Sequence, residues 1–448
     1  MLLTALVLLT LGCTDFLEVG APETQLPAVA VFESTATADA AMGSIYAKLR
    51  SGVLVSGTSK GLSVLLGQYA DELTSYSVAS TEHQFYLNAL IPSNSGVGSV
   101  WKDSYSLVYA CNALIEGVGI SAGMPQADKD CLIGEALFVR AYIHFYLMQL
   151  FGEVPFVSGT DYRVNSVIHK LHVEEMYATL VLDLFTATSL LPENYLDSKR
   201  VRPVKAVANA LMARIQLYRG NWALAESAAN AVIDNPAYTW VKSLDNVFLK
   251  SSTGTLWQLM PPTEGSPTAE GQSFILNATP GNRSMSNSLQ AAFEPGDQRR
   301  VKWVGTYTNA SGTWHYPFKY KKRLTEAASS EYAILFRLEE LYLIRAEAMA
   351  RQGNLDGAKQ DLNKIRLRAG IAPVTTTVPQ EVIDAVIRER RVELFTEHGH
   401  RWFDLQRTGS LDAALGTKPG WNATDALWPL PEQELLLNPK LLPQNAGY

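Results

Sequence analysis

Histidines, cysteines and paired carboxylates are the side chains that hold metals or make and break bonds, and few here are spaced for either task. His398-Gly-His400 and His169-Lys-Leu-His172 come nearest to metal-binding pairs, but neither has a third ligand at helical spacing, so structural roles suit both better. Asp71-Glu72, Glu174-Glu175 and Glu339-Glu340 are adjacent carboxylates of a common surface type. Hydrolysis of a glycosidic bond would need a second carboxylate facing the first across a cleft, which a sequence does not reveal. There is no GxSxG elbow, no phosphate-binding GxxxxGK[ST] loop, no HExxH and no cysteine spacing for zinc. Nothing calls for a metal or cofactor.

Aromatic residues carry more information. Trp257, Trp303, Tyr307, Trp314, Tyr316, Phe318 and Tyr320 crowd into one stretch, and Tyr69, Tyr76, Phe85 and Tyr86 into another beside Asp71. Alternation along Trp314, Tyr316, Phe318 and Tyr320 predicts one face of a strand. Flat aromatic faces suit the apolar faces of sugar rings, with nearby Asn, Asp and Arg for the hydroxyls. The Trp314 to Tyr320 row fits an inner face packed on helices somewhat better, whereas Trp257, Trp303 and Tyr307 are less tied to any core pattern.

The elements that must position these residues are mostly helical from about residue 34 onward. Trp101, Tyr105, Val108, Asn112 and Ile115 recur at three- and four-residue steps, as do Ala136, Val139, Arg140, Ile143, Tyr146, Leu147 and Leu150. Gly117, Gly119, Gly123 and Pro125 separate the two, predicting an antiparallel pair. Glu174 to Leu191 and Val204 to Arg219 read as a second pair, with Pro203 in the first turn of the latter helix. An internal repeat then appears at a constant offset of 133 residues: Ala213/Ala346, Gly220/Gly353, Asn221/Asn354 and Ala225/Ala358 coincide. Each copy reads as helix, Gly-Asn turn, helix, with small residues for close crossing, and resembles a tetratricopeptide unit. Between the copies, Ser251 to Ser330 is rich in Gly, Pro, Ser, Thr and Asn, with one short helix near Ser288 to Phe293. Within it, Arg300 to Tyr307 and Thr313 to Tyr320 flank Asn309-Ala-Ser-Gly312 as a β-hairpin. A loop region of that length is usually functional. Helices are expected to resume at Ala333.

The chain has 448 residues, 47% hydrophobic and 18% charged, with Lys+Arg 38 against Asp+Glu 44. Those proportions exclude disorder and a disulfide-stapled miniprotein, and the absence of any dense basic cluster argues against nucleic acid. Met1 to Gly12 is an apolar run too short to span a bilayer, and reads as a signal peptide. Cys13 follows Leu11-Gly12 as in the lipobox of bacterial lipoproteins, with Thr10 where Leu is usual, so Cys13 is the expected acylation site. Cys111 and Cys131 read as buried small hydrophobes, not a favoured disulfide.

The C-terminal third brings a specific resemblance. Phe336-Arg-Leu-Glu-Glu-Leu-Tyr-Leu-Ile-Arg-Ala-Glu-Ala348, Leu362-Asn-Lys-Ile-Arg366, Arg388-Glu-Arg-Arg-Val-Glu-Leu394, Gly399-His-Arg-Trp-Phe-Asp-Leu405 and Trp428-Pro-Leu-Pro431 precede a closing Gln444-Asn445-Ala-Gly-Tyr448. With Cys13-Thr-Asp-Phe-Leu17 and Gly134-Glu-Ala-Leu-Phe-Val-Arg-Ala-Tyr142 running into Phe151-Gly-Glu-Val-Pro-Phe156, the chain resembles the SusD/RagB family of outer-membrane nutrient-binding lipoproteins. Ala446 departs from the family's usual Pro. The resemblance implies a mainly α fold, a scaffold of tetratricopeptide-like helix pairs with a loop-rich insert. It also implies a lipid-anchored, non-enzymatic surface protein that captures oligosaccharides for a SusC-like TonB-dependent transporter. Peptide cargo in the same uptake role, and a surface glycoside hydrolase, are the alternatives. The expected organisation is a signal peptide over 1–12, an anchor and tether over 13–33, a helical region over 34–250, the insert with its ligand contacts over 251–332 and a C-terminal region over 333–448. Candidate ligand contacts are Trp257, Trp303, Tyr307, Trp314, Tyr316, Tyr69, Asp71 and Tyr76. The charges of the C-terminal signature read as architecture instead. Glu389, Glu393 and Glu397 share a face at four-residue spacing, with Arg390, Arg391, Arg401, Asp404 and Arg407 nearby, which predicts a buried ion-pair network.

Overall fold

The computed structural model describes residues 31–448 except Val53; Cys13, the signal peptide and most of the tether lie outside the described residues. The first helix, α1 (Thr35–Ser51), is capped by the Ser34 hydroxyl, which accepts the Thr37 N–H, and buries Ala38, Met42, Ile45 and Leu49 along one face. A short α2 (Leu62–Tyr69), a strand β1 (Leu73–Ser75) and α3 (Thr81–Tyr86) lead to the long antiparallel pair α4 (Ser95–Ile120) and α5 (Gln126–Phe151). Asn94 caps α4 by accepting from Gly96 and Val97. The helix runs on through Gly117 and Gly119, so the break falls at Gly123 and Pro125 only.

Helix α5 is apolar enough to cross a bilayer, and 89% of its most apolar window is buried within the protein. It is the central core helix, touched by α1, α4, α6 (Val173–Leu190) and α7 (Lys205–Tyr218). Pro203 lies before the Val204 cap of α7, outside the helix, contrary to its expected place in the first turn. Cys111 and Cys131 are both free thiols; Cys111 is buried, but Cys131 is only half-buried and donates to Glu135 Oε1 at 3.4 Å.

The repeat takes the expected form. Helix α7 turns at Gly220 (φ +72°) into α8 (Trp222–Ile233), and α12 (Leu338–Arg351) turns at Gly353 (φ +85°) into α13 (Leu355–Arg368). Glycine suits this left-handed turn because it has no Cβ to clash. Ala213, Ala225, Ala346 and Ala358 are fully buried, and α8 packs on α12, joining the two copies. The chain between them holds more regular structure than expected. It contains β2 (Thr255–Leu259), α9 (Ala269–Phe274), β3 (Arg283–Met285), α10 (Asn287–Ala292), α11 (Gln298–Lys302), β4 (Val304–Asn309) and β5 (Gly312–Pro317). A strand β6 (Ala333–Arg337), not a helix, begins at Ala333 because it pairs antiparallel with the buried β2. Helices α14 (Pro379–Glu393), α15 (His400–Arg407), α16 (Leu411–Leu415) and α17 (Glu432–Leu437) close the chain.

Candidate functional site

Hairpin β4–β5 places each residue of one strand opposite one of the other, and opposed residues share a face. Its register pairs Gly305 with Tyr316, Tyr307 with Trp314 and Asn309 with Gly312. Tyr307, Trp314 and Tyr316 therefore line one face, half-buried, while Thr306, Thr308, Thr313 and His315 occupy the other. The Tyr307 and Trp314 rings lie 6.4 Å apart and tilted by 32°. Tyr316 spreads over Gly305, where a Cβ would come within 2.3 Å of its ring. Phe318 continues the row edge-on to Tyr316, but Tyr320 turns inward against Phe248 and accepts the Ile334 N–H.

Strand β3 joins this hairpin to the N-terminal aromatics, since it pairs with β1 and also packs alongside β5. Tyr76 follows β1, donates its N–H to Asn282 O at 2.8 Å and places its hydroxyl 2.9 Å from Ser284 Oγ, leaving 40% of the residue exposed. His83 bonds Ser75 Oγ at 3.0 Å and lies 5.6 Å from the half-buried Tyr86 ring. Arg283 on β3 grips Glu82 on α3 at 2.7 and 2.8 Å, holding this corner together. Asn309 Nδ2 donates to Thr279 Oγ1 at 2.7 Å, and Asn282 is exposed nearby. The result is a partly exposed aromatic surface edged by amides and hydroxyls. Sequence reading identified its aromatics but not Thr279 or Asn282, which carry no motif and arrive by tertiary packing.

Four sequence candidates go elsewhere. Trp257 and Trp303 are fully buried: Trp257 packs edge-on to Phe138 at 5.1 Å and donates to Val201 O, and Trp303 packs on Phe248 and donates to Leu244 O. Tyr69 is also fully buried, 4.5 Å from the Trp402 ring, with its hydroxyl given to Asp425 O. Trp257 and Tyr69 are core residues because every residue of strand β2 and helix α2 is buried, and Trp303, at the C-terminal cap of α11, is enclosed in a cluster with Phe248, Leu244 and Tyr320; none presents a face to a ligand. Asp71 is held by Arg391 at 2.7 Å and Arg401 at 2.8 Å and accepts from Ser288 at 3.0 Å. Burial works against its ionisation, yet these arginines keep its carboxyl below the usual range.

Asp71 is one node of the expected charge network. Glu393 meets Arg337 and Arg368 at 2.7 Å and Arg299 at 2.9 Å, and Glu397 meets Arg337 at 2.9 Å and Lys319. Burial raises the cost of the Glu393 charge, but the three guanidiniums hold its carboxyl well down. Glu389 binds Arg299 and Arg366, while Asp404 binds Arg390 and Arg407. Of the other paired carboxylates, Glu339 and Glu340 are ion-paired inside, to Arg368 and Arg214, and Glu72 is buried against the Thr396 N–H. His398 and His400 are buried apart from any metal-like set, and among the described residues no group of three His, Cys, Asp or Glu side chains could hold a metal.

The profile of the SusD family matches residues 282–448, and a second profile, described as starch-binding associating with outer membrane, matches residues 15–217. SusD-like protein P2 of Formosa agariphila is 24% identical over 503 aligned positions, which cover 99% of this chain and 98% of the relative. A SusD superfamily protein from Bacteroides vulgatus superposes with a TM-score of 0.80 at 19% identity, covering 93% of this chain and 100% of its own. A laminarin binding SusD-like protein gives 0.79 at 21% identity, covering 92% and 99%.

Proposed function

Because the chain belongs to the SusD/RagB family of glycan-binding proteins, we propose that it is a non-catalytic surface lipoprotein that captures oligosaccharides and passes them to a SusC-like TonB-dependent outer-membrane transporter. The carrying observation is the row of Tyr307, Trp314 and Tyr316 on one hairpin face, with Tyr76 brought up across β3. Partly exposed rings supply stacking surfaces for the C–H faces of sugars, and Asn282, Asn309 and Thr279 supply hydrogen-bonding groups for hydroxyls. Two features support binding without bond cleavage: Asp71 is committed to two arginines, and Glu339 and Glu340 lie in the core. Acylation at Cys13 would hold the protein on the outer membrane, where a partner barrel would receive the cargo.

Calorimetric titration with soluble laminarin, starch oligosaccharides and a control peptide mixture tests the reading. At least one glycan is expected to bind, with affinity lost in the Trp314→Ala, Tyr316→Ala double variant. Binding of peptide alone would overturn the carbohydrate assignment, and release of reducing ends on incubation would overturn the non-catalytic one.

A further inference from the structure

A cavity of about 250 Å³ opens between the C-terminal end of α1, the loop behind it, the end of β2 and the start of α9. It shares no residue with the aromatic hairpin face. Two of its lining side chains are unusual for this protein. Glu270 is 5% exposed, its Oε2 has no hydrogen-bond partner, and it forms no ion pair among the described residues. The buried Glu393, Asp404, Asp183 and Glu135, by contrast, each meet an arginine. Burial lifts the Glu270 carboxyl to about 7, with Glu397 and Glu331 adding repulsion. Arg50, half-buried, spends one donor on Met260 O at 3.1 Å and meets no carboxylate among the described residues, Glu270 included.

A buried carboxylate oxygen without a partner has lost its water without replacement, a desolvation cost that a ligand's donor would recover. Near pH 7 a carboxyl of this kind can both accept and donate, matching a hydroxyl, and the spare Arg50 donors match a hydroxyl or ring oxygen. Leu259, Pro261, Pro262 and Pro267 give the cavity apolar walls of the kind that pack on C–H faces. The volume exceeds what a bare ion needs and accommodates a sugar ring. We propose that this cavity is a second carbohydrate site, taking a single sugar ring whose hydroxyls bridge Glu270 and Arg50 while its C–H face lies on the proline wall.

Saturation-transfer NMR of the full mature protein with D-glucose, D-galactose and D-mannose, each titrated separately, tests this. At least one is expected to saturate in the millimolar range and to keep that binding in the Trp314→Ala, Tyr316→Ala double variant. Glu270→Gln is expected to weaken it about tenfold or more. Arg50 is half-buried at the end of α1, so Arg50→Ala gives an independent reading should the core variant fold poorly, with a weakening in the same direction. No saturable binding of any of the three, binding that disappears with the hairpin aromatics, or preferential binding of glycine or lysine at the same cavity would each overturn the proposal. Because the two sites share no residue, loss of one reading leaves the other standing.

Discussion

Arg390 Nε lies 2.8 Å from Asp404 Oδ2, joining α14 to α15 with both residues buried. Asp404 also accepts from Arg407, which in turn grips Glu347 at 2.6 Å on α12. Removing one partner of such a set strands the remaining charges in the interior. Asp404→Ala is therefore expected to cost about 3–5 kcal/mol of stability by denaturant unfolding. Glycan affinity of the folded fraction should be unchanged, because the pair lies among the packed C-terminal helices and not on the hairpin. Normal unfolding with lost binding would contradict an architectural role.

The aromatic residues divide by the same comparison. Trp257→Ala is expected to destabilise by about 3–5 kcal/mol, since it opens a void beside Phe138 and Tyr142. Trp314→Ala should change stability by less than about 1 kcal/mol yet weaken glycan binding by about tenfold, roughly 1.4 kcal/mol. Paired calorimetric and unfolding measurements on the two variants would show the opposite assignment if the hairpin face were structural.

Gly305 tests the placement of Tyr316 without touching its ring. A Cβ at this position would lie 2.3 Å from Tyr316 carbons, so Gly305→Ala must push the ring off the strand. Weaker glycan binding with unfolding free energy within about 1 kcal/mol of the parent is the expected outcome. Unchanged affinity would show that Tyr316 makes no contact.

Burial raises the Glu72 carboxyl from its ordinary range to about 7, with the neighbouring Asp71 charge adding to the shift. The folded state thus holds a proton that the unfolded chain releases at lower pH, so the group's contribution is fully present below about 4.5 and is lost as pH rises through about 7. The stability difference between the parent and Glu72→Gln should fall across that window by about 3 kcal/mol at most, read from urea midpoints at each pH. A difference flat with pH would mean that Glu72 stays ionised in the fold.

Acylation makes a prediction of its own for Cys13. The parent should remain with membranes through alkaline carbonate washing and take up labelled palmitate, whereas Cys13→Ala should appear in the soluble fraction. Retention of the variant on membranes would assign the anchor elsewhere.

Helices, the paired Gly-Asn turns and the hairpin were legible in the sequence because each depends on neighbours a few residues away. Periodic apolar positions place α4 and α5, glycine marks the left-handed turns at 220 and 353, and Asn309 to Gly312 marks the loop between β4 and β5. The alternation of Trp314 and Tyr316 is likewise a local property, and so is the four-residue spacing of Glu389, Glu393 and Glu397. What the chain's own order does not contain is which side of each element meets the rest of the molecule. Trp257 looked free of any core pattern but is enclosed, because Tyr46 of α1 and Phe138 and Tyr142 of α5, all more than 100 positions away, pack edge-on around its ring. Asp71 looked available beside its tyrosines, yet Arg391 and Arg401 reach it across more than 300 positions. Tyr76 joins the hairpin only because β3 runs between β1 and β5. Burial and charge pairing are properties of surfaces brought together from distant segments, so tertiary structure alone separated the aromatics that form the core from those left open to a ligand.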